Sequence, residues 1–338
     1  MDDITILCVT WNTQSLKLRG EDMGEFWNNM EKYIKENTPA IIAICFQEDA
    51  KPGSYVQTEY LPIKLRENGY LLLENSEMMG VGKTTFDGLF NMDFFMRGLR
   101  TSVYIKNSYS NDIILAREYD IYTNSVFRNK GAIGTYCKYK NKILAIINVH
   151  LPFNSKSLKE TKMNKDKLIR QDAITDQNTF YNSVYRNLVL NVKPNPTHLI
   201  MMGDFNYRIE PFINWSAVET GQEILNLTQT KNFEIINKHD EYYQQINKKN
   251  IYVSDEGINN KGPEFYPTCK MRRNRENPYD LGSFNFGDAD CRVPSYCDRI
   301  LYQNLQCLKY ERYDEDIIKQ SDHAAIIGVY KMLVEIEI

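Results

Sequence analysis

No hydrophobic run in this chain approaches the length that a bilayer-spanning helix requires, which excludes a helical integral membrane protein. Met1 leads almost at once into a strand-like segment, so no signal peptide is expected. The C-terminal residues Val334-Glu335-Ile336-Glu337-Ile338 carry no prenylation box, and any membrane contact would be peripheral. Cysteine is scarce: seven residues, an odd number, give neither a close-spaced zinc pattern nor a disulfide framework and fit a reducing cytosol. Charge of either sign is not in excess. A net charge of −3 and a pI near 5.9 provide no global basic field, so a nucleic-acid partner is not expected and an anionic substrate must be met by local basic clusters. Internal repeats, low-complexity tracts and linkers are absent too, so residues 1–338 are expected to form a single domain and to act as a monomer.

What the chain does contain is a series of buried-looking apolar runs that stop on polar residues. Thr197-His198-Leu199-Ile200-Met201-Met202 reads as a strand buried on both faces, Gly203 as a sharp turn, and Asp204 and Asn206 as a carboxylate and an amide emerging together. Taken alone, Gly-Asp-x-Asn is more often an Asx turn than a reactive site. The ending recurs, however. Ile4 to Trp11 runs into Asn12, Ala40 to Phe46 into Gln47-Glu48, Lys142 to Val149 into His150, and Ser321-Asp322-His323 precedes a strand from Ala324 to Val334. Strands are also expected over Thr101–Lys106 and Ala132–Tyr139. Helices are expected over Gly24–Asn37, with Met23, Phe26, Trp27, Met30, Tyr33 and Ile34 on one face and Pro39 preventing continuation, and over Asp172–Val192.

Other stretches carry weaker signals. Residues 51–100 alternate short apolar pieces such as Tyr70 to Leu73 with turn-prone segments, and Gly82-Lys83-Thr84 is a poor match to a phosphate-cradling loop. The apolar patch of Phe86, Leu89, Phe90, Met92, Phe94, Phe95 and Met96 is expected in the core, with membrane contact as the alternative. Basic residues gather in Ser155 to Arg170 and in Arg272-Arg273-Asn274-Arg275. The first reads as a solvated face, with attraction to an anionic surface as its alternative. Lys248 to Pro263 reads as a polar excursion.

If the recurring strand endings belong to one sheet sandwich, Asn12, Glu48, His150, Asp204, Asn206, Asp322 and His323 can meet at one rim, where rigid strands commonly support functional groups. The chemistry they suit is phosphate-ester hydrolysis. Glu48 and Asn12 offer hard oxygens to Mg²⁺, which keeps much of its water and needs few protein ligands.

Gly203-Asp204-Phe205-Asn206-Tyr207-Arg208, together with Arg292-Val293-Pro294-Ser295-Tyr296-Cys297-Asp298-Arg299-Ile300-Leu301, resembles the paired signature of the inositol polyphosphate 5-phosphatases. Thr10-Trp11-Asn12, Gln47-Glu48, Asn148-Val149-His150-Leu151 and Ser321-Asp322-His323 resemble the remaining motifs of the wider endonuclease, exonuclease and phosphatase superfamily, in the same order. The resemblance spans residues 4 to about 333. It implies a deoxyribonuclease-I-like four-layer α/β sandwich, two packed mixed β-sheets flanked by helices. It further implies a Mg²⁺ site at Glu48, Asn12 and Asp322, a water oriented and deprotonated by Asp204 and Asn206, and His323 fixed and held cationic by Asp298. His323 and His150 would steady charge on the phosphoryl oxygens.

By the same resemblance, Lys270 and Arg292 would grip a neighbouring 4-phosphate, and Arg208, Asn129 and Lys130 would lie near substrate. Cys269 and Asp290 depart from the family at that subsite, and Leu151-Pro152-Phe153-Asn154 after His150 is atypical as well. The implied partner is an inositol phosphate or a phosphoinositide head group, met in the cytoplasm or at the cytosolic face of an anionic membrane. The rivals are a nuclease or phosphodiesterase on the same fold and a catalytically dead phosphoinositide-binding module. The low pI and Tyr207-Arg208 oppose the first, and the intact set of polar endings opposes the second.

Overall fold

The computed structural model describes residues 3–14, 16, 20–50, 55–81, 96–123, 130–152, 163–212, 215–273, 276–277, 284, 293–313 and 318–333. Side chains of β1 (Ile4–Asn12) alternate between two surroundings, as the two-residue period of a strand requires. Ile4, Ile6 and Cys8 enter a core between two sheets, while Leu7, Val9 and Trp11 face outward. There they meet Met23, Phe26, Trp27, Met30 and Ile34 of α1 (Gly20–Asn37), the apolar face expected from the three- and four-residue spacing. β2 (Ile41–Ala50) divides likewise, with Ile41, Ala43 and Cys45 inside and Ile42, Ile44 and Phe46 outside. Each Ile, Leu, Val, Met or Phe among them, fully buried, contributes on the order of 1.5–3 kcal/mol.

The first sheet also contains β3 (Tyr70–Val81), β4 (Met96–Lys106), β11 (Gln306–Tyr313) and β12 (Ala325–Met332), in the order β11-β12-β1-β2-β4-β3. The second orders β5 (Ile113–Tyr122), β6 (Gly131–Tyr139), β7 (Lys142–His150), β8 (His198–Asp204), β10 (Asp298–Gln303) and β9 (Asp255–Glu256) as β5-β6-β7-β8-β10-β9. β1–β2 and β7–β8 are parallel and the other pairs antiparallel, so both sheets are mixed. Leu144, Ile146, Ile200, Met202, Ile300 and Tyr302 line the inner face of the second sheet. Its outer face packs on Phe180, Tyr181, Val184 and Tyr185 of α3 (Met163–Tyr185). Helix, sheet, sheet and helix give the four layers expected.

The differences from expectation have local causes. α1 begins earlier than Gly24, and the helix expected over Asp172–Val192 is α3, displaced toward the N-terminus and extended by a wide turn over Arg186–Leu190. α2 (Tyr55–Glu67), which accommodates Pro62, and the half-exposed edge strand β5 show no clean apolar period. The polar excursion holds the two-residue β9, and α4 (Ala217–Gln229), α5 (Phe233–His239) and α6 (Glu241–Asn247) were not foreseen. Gly203 does not end its strand: β8 runs through it to Asp204. Its φ is +144°, and a Cβ there would lie 2.0 Å from the Val149 carbonyl oxygen, so glycine is required by the close approach of β7. The Gly82-Lys83-Thr84 segment, the apolar patch from Phe86 to Phe95 and residues 155–162 of the basic stretch lie outside the described residues. Among the described residues, no helix is long and apolar enough to cross a membrane, which says nothing of a β-barrel.

Candidate active site

Strand register assembles the centre of the site. β7 pairs His150 with Asp204, and β10 pairs Asp298 with Asp204, so the three form one row across the end of the second sheet. The row continues the parity of Ile146, Ile200, Met202 and Ile300 and therefore caps the core between the sheets. Asn12, which ends β1 with the parity of Ile6 and Cys8, crosses from the first sheet: its Nδ2 donates to Asp204 Oδ2 at 2.9 Å. Asp204 Oδ1 accepts from the Asn206 backbone N–H at 3.0 Å, so the Asx turn and the site are one structure. Asn206, at φ +57°, donates through Nδ2 to the Leu151 carbonyl at 3.0 Å and accepts at Oδ1 from Arg208 at 2.9 Å, which fixes its amide.

The histidines differ. His323, in the turn before β12, places Nδ1 2.8 Å from Asp298 Oδ2. Burial alone would lower its pKa, but Asp298, then Asp204 and Asp322, overcome burial and raise it to about 9, so the ring is cationic at neutral pH. His150 lies 3.3 Å through Nε2 from Asp204 Oδ2, yet burial and then the neighbouring Lys130 push its pKa down. Lys130 Nζ contacts His150 Nε2 directly. Burial would raise the Asp204 pKa, but His150 and His323 hold its carboxyl well below the usual carboxylate range.

Glu48 reaches the site through a bulge. The β2–β4 register shifts between Gln47 and Asp49, and Glu48 adopts φ +49° with Oε1 3.9 Å from His150 Nε2. Asp49 and Glu77 hold Arg100 at 2.9 and 3.2 Å beside the bulge. Gln47 Nε2 donates across the sheets to Asn148 Oδ1 at 2.8 Å. These supports went unread in the sequence. Only the position of Asn148, two residues before His150, could have suggested one of them.

Asp322 and Lys270 are paired, Nζ to Oδ2 at 3.3 Å, with Asp322 Oδ1 3.8 Å from His323 Nε2. Arg208, expected near substrate, directs its guanidinium to Asn206 and, at 3.0 Å, to Cys269 Sγ. Asn129, Asp290 and Arg292 lie outside the described residues. The expectation of no disulfide is corrected: Cys269 and Cys297, 28 residues apart, are bonded, with Cα atoms at 6.1 Å. A backbone bridge between Cys269 and Ser295 brings them together, and no spacing rule foreshadows it. Cys8, Cys45, Cys137 and Cys307 are free and buried.

As a cation site the rim has suitable chemistry. Its oxygens come from Asn12, Glu48, Asp204 and Asp322, hard donors of the kind Mg²⁺ or Ca²⁺ take. Asp204, Asp298 and His323 also bring ligand-type atoms within 4.8 Å of one another. The Nδ1 contact of a cationic His323 with Asp298 makes that trio a poor metal set, since a protonated ring cannot coordinate.

The two-sheet sandwich and its Asp, Asn, Glu and His rim set the architecture, but fold alone does not fix function. The profile of Endonuclease/Exonuclease/phosphatase family 2 matches residues 9–329, and the chain belongs to that family. Its sequence relatives include phosphatidylinositol 3,4,5-trisphosphate 5-phosphatase 2A of Danio rerio, 26% identical over 213 residues, 60% of this chain and 15% of the relative. The human phosphatidylinositol 3,4,5-trisphosphate 5-phosphatase 2 is 25% identical over 245 residues, 69% of this chain and 18% of the relative. The chain thus aligns with less than a fifth of the length of either relative.

Among solved structures, the inositol polyphosphate 5-phosphatase domain of SPsynaptojanin, in complex with inositol (1,4)-bisphosphate and calcium ion, superposes with a TM-score of 0.67 at 17% identity. The match covers 98% of this chain and 84% of that one. Cimex nitrophorin, as a ferrous NO complex, reaches a TM-score of 0.64 at 17% identity, covering 98% and 99%. These likenesses establish the fold. That one architecture is shared by a phosphatase domain and an NO-binding protein puts the weight of a functional reading on the rim residues.

Proposed function

We propose that this protein is a Mg²⁺-dependent phosphomonoesterase that removes the 5-phosphate from inositol polyphosphates or from phosphoinositide head groups. The observation that carries this reading is the His150–Asp204–Asp298 row, closed by Asn12 from the opposite sheet and by cationic His323. The named activities of the sequence relatives supply the substrate class.

Asn12, Glu48 and Asp322 would hold the cation, which when bound neutralises phosphate charge and polarises the phosphoryl oxygens. Asp204 is held ionised, so it orients the attacking water first. It accepts that water's proton once the oxygen has begun to bond to phosphorus, which suits a loose transition state. Asn206 fixes the second water contact through an amide already locked by Arg208 and Leu151. His323 presents positive charge to the phosphoryl oxygens with its ring held by Asp298, and Lys130 does so beside His150. The net change adds water across the P–O bond and yields a ring alcohol and inorganic phosphate.

The test is phosphate release from a panel of soluble inositol phosphates, phosphoinositide vesicles and DNA, with and without Mg²⁺. Mg²⁺-dependent release from 5-phosphorylated substrates is expected. Cleavage of DNA alone, or release from none of the panel, would overturn the reading, and the soluble and vesicle arms separate free from lipid-borne substrate.

A further inference from the structure

Gln14 lies two residues beyond Asn12, in a left-handed conformation at φ +50° that a glutamine adopts at a cost. Its interactions show what holds it there. The backbone N–H donates to Asn12 Oδ1 at 3.0 Å, and the side-chain oxygen Oε1 accepts from the Asp322 backbone N–H at 3.2 Å. The same Oε1 accepts from Arg273 Nε at 2.8 Å. One residue therefore touches both ends of the candidate site, through its backbone the amide that ends β1 and through its side chain the turn that carries His323, and the same side chain holds an arginine outside it.

Arg273 is exposed, and its two terminal nitrogens have no partner among the described residues. The backbone that leads to it is not loose. Met271 N–H donates to the Asp322 carbonyl at 2.9 Å, and Ala324 N–H donates to the Thr268 carbonyl at 2.8 Å, so residues 268–271 are docked along the His323 turn. A guanidinium pinned through Nε, with both terminal groups unengaged, is prepared for bidentate contact with a phosphate, and little side-chain freedom remains to be lost on binding. Lys270, by contrast, is already paired with Asp322.

We propose that Arg273 is an anion-binding point for a phosphate of the substrate other than the one being hydrolysed, and that Gln14 is the positioning residue that aims it. The inference rests on the phosphomonoesterase reading for its substrate class, namely a ring carrying at least two phosphates. It also gives the exposed Arg272-Arg273 part of the basic run a use: one of its members is tied by a single side chain to the reacting end of the site.

The experiment compares kcat/KM for inositol 1,4,5-trisphosphate and for a matched inositol 5-monophosphate in the wild type, Arg273→Ala, Arg273→Lys, Gln14→Asn and the Gln14→Asn/Arg273→Ala double variant. Calorimetric titration with inositol 1,4,5-trisphosphate in chelator runs alongside. Asparagine tolerates the left-handed backbone but retracts the carbonyl by one methylene. Arg273→Ala should lower the trisphosphate-to-monophosphate preference about tenfold to a hundredfold, the range of a charge-assisted contact, with Arg273→Lys intermediate. Gln14→Asn should lower it less and add nothing once Arg273 is gone, a coupling that general loosening of the fold would not produce. Equal losses on both substrates, or an unchanged preference and affinity in Arg273→Ala, would overturn the proposal while leaving the hydrolase reading intact. If the wild type hydrolyses neither substrate but binds the trisphosphate through Arg273, the hydrolase reading falls and the anion point stands. Absence of both hydrolysis and binding overturns both.

Discussion

Asp298 and Arg299 are adjacent on β10 and face opposite sides of the second sheet, each into a buried cluster of charge. Arg299 is completely buried with Asp240 and Glu256, donating to Glu256 at 2.8 Å and directly to Asp240. Tyr243 and Tyr310 donate to Glu256, the Tyr242 N–H donates to Asp240, and the Tyr242 ring lies 4.8 Å from the guanidinium. The cluster around Asp298 also has displaced titrations but opens outward: the Glu48 and Lys270 side chains retain 20% and 30% exposure. Perturbed ionisation is common to both, since burial raises the Asp240 pKa to about 6 against the pull of Arg299. What separates a candidate site from a structural network is access and the convergence of several strand ends, not the size of a pKa shift.

The comparison can be broken most forcefully at Arg299. Arg299→Met leaves two buried carboxylates without their cation and should cost about 3–5 kcal/mol of stability in denaturant unfolding. Adding Asp240→Asn and Glu256→Gln should recover most of that loss. A single variant as stable as the wild type would show that the network is not a closed unit.

On the other face, Asp204→Asn is nearly isosteric and should lower kcat on the order of 10² or more, with the unfolding midpoint little changed. Near-normal turnover would remove Asp204 from its role. Glu48→Gln should shift the Mg²⁺ dependence of turnover to roughly tenfold higher concentration, in line with loss of a charge-assisted contact, and high Mg²⁺ should restore part of the rate. Superimposable Mg²⁺ titrations would place the ligand elsewhere.

The smallest effect is a shift along the pH axis. The folded pKa of His323 is raised above its ordinary value to about 9, so its charge contributes fully below the unfolded pKa of roughly 6.5 and is lost as pH rises through about 9. Turnover and stability should both decline on that alkaline limb. Asp298→Asn should move the limb to lower pH, and an unmoved limb would detach it from this pair.

Much of this contrast was legible in the sequence on one side and invisible on the other. Apolar runs ending at Asn12, His150 and Asp204 declared both the strands and the rim, because a two-residue period carries a side chain's direction along with its burial. Glu48 was read from the apolar run that ends in Gln47-Glu48, but its direction was not legible, because a bulge after Gln47 re-aims it and a bulge leaves no periodic mark. Arg299 stood in a quoted motif with no role assigned to it, since its partners Asp240 and Glu256 lie 59 and 43 residues away. The Cys269–Cys297 bond and the Gln14–Arg273 contact escaped for the same reason, being set by how distant loops dock. α5 and α6 are seven residues each, too short for a 3.6-residue period to declare itself, whereas α4 carries a start signal in Ser216 with Glu219 three residues on.

The single row formed by His150, Asp204 and Asp298 has a practical consequence. A slip of one residue in either strand pairing would turn the side chains of the slipped strand to the wrong face and scatter the row, even if much of the hydrogen bonding survived. Turnover per molecule is therefore a reporter of strand alignment. In a refolding experiment it would count correctly threaded chains, where circular dichroism would count all chains that had formed sheet.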